Sequence, residues 1–168
     1  MVTATDIDRS IKALNNPDHA IHEHARYTLI GARHEALPRL IKLLKNDKPR
    51  VRWEAVYLLK KIGDPSAADA LVDALADDNI DVHWLASEAL ISLGYYSIMP
   101  LLKGMIRHFE SYTFLQGAYH VLHTFERFST LDPETQSVLD ALRGAVPGIK
   151  AAWAAERAIE ALEIFRKK

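Results

Sequence analysis

Apolar residues return every three or four positions along almost the whole of this chain, with polar residues between them. In one stretch they fall at Val51, Ala55, Leu58, Leu59 and Ile62, and in the next at Ala68, Leu71, Val72 and Leu75. With 3.6 residues to a turn, that spacing lays an apolar stripe along one side of an α-helix. Gly63 closes the first stripe, and a glycine there predicts a left-handed cap. Gly31 ends an earlier stripe and arrives sooner, which predicts a slightly shortened first copy. Asn16, Asp47 and Asp78 precede such stripes and suit N-caps. No segment alternates with the two-residue period of a strand for long enough to matter, so the pattern predicts helices only.

The stripes themselves repeat. "IKALNN" from Ile11 matches "IKLLKN" from Ile41, 30 residues later. Val51-Arg52-Trp53 matches Val82-His83-Trp84 at an offset of 31, and Ala55 and Gly63 then fall on Ala86 and Gly94. "IHEHARYTLIG" joins the set through Ala25, Tyr27 and Leu29, and "FLQGAYHVLHTF" through Ala118 and Leu122. A unit of two short helices cannot bury its apolar side alone; stacking on its neighbours does that. The expected organisation is a single domain. Residues 1–16 form an N-terminal half-repeat cap, 17–47, 48–78 and 79–109 three regular units, 110–148 an irregular fourth, and 149–168 a closing helix with a charged tail.

The stretch "VRWEAVYLLKKIGDPSAADALVDAL" combines Val-Arg, two variable positions, a small-residue core, a closing glycine and an aspartate before the second helix. In this it resembles the HEAT-repeat family, in particular the short bacterial and archaeal type called PBS-lyase HEAT-like repeats. The resemblance covers Pro17 to Phe109 well and the fourth copy loosely. It implies an all-α fold, a right-handed α-solenoid of the armadillo/HEAT kind with about four helix pairs plus capping helices. It implies little about activity, because such repeats serve in scaffolds, lyases, hydroxylases and DNA-binding proteins alike.

Composition narrows the choices. Hydrophobic residues make up 49% and charged residues 26%, a globular balance. The absence of cysteine removes disulfides, thiol catalysis and zinc-thiolate sites. A formal net charge of −1 argues against a partner held by its phosphate backbone, so nucleic acid is not expected. No apolar run approaches the roughly 18–20 residues of a membrane span, and "MVTATDIDRS" has the character of neither a basic nor an apolar signal region. The expected setting is the cytoplasm, with no membrane contact.

In the HEAT-like family the positions just after Val-Arg, and one turn further on, line the concave side. That resemblance places Glu23, His24 and Tyr27 on this side in the first copy, and Trp53, Glu54, Tyr57 and Lys61 in the second. The third copy supplies Trp84, Leu85 and Glu88, and the fourth Gln116 and His120. With neighbouring helix axes about 8–10 Å apart, Trp53 and Trp84 are expected side by side, with Tyr27 and Tyr57 as a second row. Aromatic side chains bring contact area at low entropic cost and dominate protein-recognition surfaces. Glu23, Glu54 and Glu88 would bias such a groove toward basic partners. The function expected is therefore a non-enzymatic scaffold that binds a protein or peptide, with no cofactor, as a monomer or weak homo-oligomer. The same helical spacing also suits core packing, in which case both indoles would be buried.

The chain holds eight histidines. His19 and His22, and again His120 and His123, stand three apart on one helix side. Glu88 and His120 occupy equivalent positions in adjacent copies, with His123 one turn beyond. A carboxylate and two imidazoles there define the alternative function, a small-ligand or metal-dependent activity of bilin-lyase type. A di-iron hydroxylase of HEAT architecture would need His-Glu pairs just after Val-Arg. The residues there are Glu23-His24, Trp53-Glu54, Trp84-Leu85 and Gln116-Gly117, so that activity is excluded.

Overall fold

The computed structural model describes residues 2–128, 131–144 and 146–166, and among them every regular element is helical. The order is α1 (Ala4–Ala13), α2 (His19–Ala32), α3 (Leu37–Leu43), α4 (Pro49–Ile62), α5 (Ala68–Asp73), α6 (Ile80–Leu93), α7 (Ile98–Arg107), α8 (Tyr112–Phe128), α9 (Pro133–Leu142) and α10 (Pro147–Arg166). The helices α2, α4, α6 and α8 pack on one another in succession and form one layer. In the second layer α5 packs on α7, and α7 on α10. The stripes meet between the layers: Leu58, Leu59, Leu71, Leu75, Leu90, Leu101, Leu102 and Met105 are fully buried. This is an α-solenoid.

The last step departs from simple stacking. The helix laid on α7 is α10, while α9 packs on α8 and α10. A small-residue face makes this possible, since Ala151, Ala154, Ala155 and Ala158 of α10 are all buried. Gly148 marks the closest approach, because a Cβ there would stand 2.1 Å from the Phe109 carbonyl oxygen. The fourth unit expected over 110–148 includes residues 129, 130 and 145, and the charged tail includes Lys167 and Lys168. Those residues lie outside the described ones.

Three local expectations change. The N-caps of α2, α4 and α6 are Asp18, Lys48 and Asn79, not Asn16, Asp47 and Asp78. Asn16, Asn46 and Asp77 each stand two residues before the cap and accept its backbone N–H, at 2.9, 3.0 and 2.9 Å. This side-chain turn holds the chain in the bend that enters each helix. The first copy is not shortened either: α2, α4 and α6 each run 14 residues. Gly31 is inside α2, and the positive φ that ends the helix belongs to Arg33 (49°), in step with Gly63 (66°) and Gly94 (59°). Finally, Ile80–Arg107 does have the length and apolarity of a membrane span, but half of it is buried within the fold and the bend at Gly94–Ser97 divides it.

The Val-Arg arginine explains how successive units hold register. The Arg52 guanidinium donates through Nε and Nη2 to the two Asp77 oxygens at 2.7 and 2.8 Å, and to Asp78 at 2.6 Å. Its Nη1 donates to the carbonyls of Asn46 and Asp47 at 2.9 and 3.2 Å. One side chain thus ties the turn before α4 to the turn before α6. In the next copy His83 takes that place, fully buried, and its Nδ1–H donates to the Leu75 carbonyl at 2.9 Å.

Candidate functional site

The candidate residues lie on the α2, α4, α6 and α8 layer, on the side turned away from α3, α5 and α7. The wide apolar stripe that buries Ala55, Leu58 and Leu59 against the second layer leaves Trp53, Tyr57 and Lys61 on the opposite side of α4. Exposure there is graded. Tyr27 is 78% exposed and Trp84 45%, whereas Trp53 and Tyr57 are half-buried and rest against the core. His24, Lys61, Glu88 and Gln116 are exposed and His120 half-buried.

The indoles are not paired with each other. Trp53 stacks on Tyr57 of its own helix, with centroids 5.5 Å apart and planes 10° off parallel. Trp84 meets His120 of α8 edge-on at 4.9 Å. Residues four apart on one helix lie one above the other, so Trp53 finds Tyr57 before it can reach across to α6. The Arg26 guanidinium sits 4.6 Å from the Tyr57 ring centre and Lys61 Nζ 5.6 Å, so the phenol is flanked by two cations.

The carboxylates expected to make the groove acidic are engaged internally. Glu54 is only 5% exposed and takes a two-pronged contact from Arg26, through Nε and through Nη2 at 2.8 Å. Arg26 Nη1 also donates to Glu23 at 2.8 Å. Hydrogen bonding to Glu54 holds the Arg26 guanidinium further toward its charged form than usual. His22 lies between Glu23 and Glu54, at 3.5 and 3.6 Å. Glu88 faces Lys60 at 3.6 Å and His120 Nε2 at 3.4 Å. Glu54 therefore belongs to the wall of this face rather than its surface, and Leu85 is half-buried against the core. What remains outward is aromatic and close to charge-balanced.

Glu88 and His120 do meet, as their equivalent positions predicted. His123 turns elsewhere and stacks on Tyr119 at 5.4 Å. Among the described residues no group of three or more His, Asp or Glu side chains is placed to hold a metal ion. Arg26 was missed in the sequence because it falls where the second copy has a core residue, Val56. The signal in the sequence that could have found it was Glu54 itself, a carboxylate in the facing helix of the next copy.

Helix pairs stacked in two layers, with aromatic side chains on the outward side of one of them, define a repeat solenoid. The profile of HEAT repeats matches residues 7–91, half of the chain, and the chain belongs to the HEAT-repeat family. Repeats of this family generally mediate protein interactions. No curated protein matches the chain.

Proposed function

We propose that this protein is a non-enzymatic scaffold that binds a protein or peptide along the exposed face of α2, α4, α6 and α8, the concave side of the superhelix. The observation that carries the reading is Trp84, a large indole 45% exposed beside His120, on the same face as Tyr27 and the Trp53–Tyr57 stack. An indole in that state offers contact area without first leaving the core. With Glu23, Glu54 and Glu88 already matched by Arg26, Lys60 and His120, the preferred partner presents apolar and aromatic side chains rather than a run of basic ones.

Peptides selected from a displayed library on the immobilised chain provide the test, carried out in a Trp153→Phe background so that emission reports Trp53 and Trp84. Selected peptides should shift that emission. Trp84→Ala should weaken them about tenfold or more with little change in melting temperature, because this side chain is half in solvent. Peptides that bind the Trp84→Ala, Tyr27→Ala double variant as tightly as the parent would overturn the proposal.

A further inference from the structure

The outer side of α10, in the second layer and away from the aromatic row, carries a stripe of exposed residues: Lys150, Trp153, Arg157, Glu160 and Ile164 at spacings of three and four, with Ile149 beside the first. Trp153 is 65% exposed and Ile164 57%. Arg26, Arg52, Arg107 and Arg143 all bind carboxylates, yet Lys150, Arg157 and Glu160 form no ion pair with any described residue. Trp153 also borders a groove of about 580 Å³ between α9 and α10, where Ser137, Ala141 and Ala154 leave room for a large side chain.

We infer that a second copy of this chain docks on α10, with the two α10 helices antiparallel about a two-fold axis level with Ala155. In such a contact, residues equidistant from the axis level face each other, one from each copy. Lys150 then faces Glu160, and Trp153 faces Arg157, whose guanidinium suits the indole face. At the ends of the stripe exposed Val146 meets exposed Ile164. Every pair is made twice. A parallel arrangement would instead set Lys150 on Lys150 and Glu160 on Glu160, so the charge pattern selects the antiparallel register. The partner's indole fills the groove floored by Ser137, Ala141 and Ala154.

Sedimentation equilibrium on the full chain tests this. The parent should show the mass of a dimer that dissociates on dilution. Trp153→Asp should sediment as a monomer with an unchanged helical spectrum. Lys150→Glu alone and Glu160→Lys alone should each weaken the dimer about tenfold or more, since each reversal creates two repulsions. The Lys150→Glu, Glu160→Lys double variant should regain the parent affinity, because it restores both pairs with their signs exchanged. A parent that stays monomeric up to about millimolar concentration would overturn the inference. So would a double variant no tighter than the single ones, which would leave α10 to a different partner.

Discussion

Arg33 holds a backbone conformation that an L-residue rarely adopts. Its φ and ψ are 49° and −128°, nearly those of Gly94 at 59° and −134°. Gly94 and Gly63 are the glycines that close α6 and α4, and Arg33 has a Cβ where they have none. Residues held in such regions cost about 1–3 kcal/mol, against which glycine loses about 0.5–1 kcal/mol more conformational freedom on folding. Arg33 is exposed and its side chain makes no ion pair with a described residue, so its removal breaks no ion pair among them. Arg33→Gly should therefore stabilise the fold by about 1 kcal/mol. Gly31, two residues earlier, has the opposite mismatch: it lies inside the helix, with nothing within 4 Å of where a Cβ would sit. Gly31→Ala should add up to about 1 kcal/mol. Together the two changes should raise the melting temperature by roughly 3–8 °C for a chain of this size, read by calorimetry or by the helical signal on heating. Gly94→Ala serves as the reverse control. It should destabilise more than Gly63→Ala, because Gly63 at φ 66°, ψ 27° lies in the left-handed region that other residues can enter. If Arg33→Gly proves neutral or destabilising while Gly31→Ala stabilises, then α2 does not end in this conformation and the strain argument fails.

Two further tests concern the ionic ties between copies. The Arg52 and Asp77 side chains are 12% and 7% exposed, so Arg52→Met should cost about 2–3 kcal/mol by urea unfolding at neutral pH. Burial pushes the Asp77 carboxyl up, but the Arg52 guanidinium and the Asn79 N–H outweigh it and hold the group below the ordinary carboxylate range. A depressed folded-state value means that this stabilisation is complete above about pH 4 and is lost as pH falls through the lower value. The difference between parent and Arg52→Met should accordingly shrink in acid, and a constant difference would contradict the assignment. Arg26→Met should cost about 3 kcal/mol, because it leaves Glu54 buried without its partner, and Arg26→Met with Glu54→Leu should recover most of that loss. A double variant as unstable as the single one would show that the pair does not act as a unit.

Much of the architecture was legible because its causes are local. Stripes such as Val51, Ala55, Leu58, Leu59 can be buried only by a helix, and Gly63 ends that helix as its sequence position predicts, since its left-handed conformation is one glycine adopts at no steric cost. The face itself was less legible. Trp84 is exposed at the position its place after Val82-His83 implied, yet Glu54, at the corresponding place one residue on in the second copy, is buried by Arg26, 28 residues earlier. Opposite charges on facing helices attract whatever their distance along the chain, and a repeat period carries no record of which charge its neighbour holds.

By itself the sequence determined that this chain is a stack of amphipathic helix pairs, because a recurring apolar stripe leaves each pair unable to shed water except against the next. The tertiary structure alone decided three things. Arg33 rather than Gly31 turns the chain out of α2, because the direction needed to start α3 sets the sign of φ there. The carboxylates of the aromatic face are matched within the fold, because Arg26 and Lys60 reach them across the helix layer. And α10 packs on both α7 and α9, because its buried alanines allow a close approach and Gly148 clears the Phe109 carbonyl in the turn after α7.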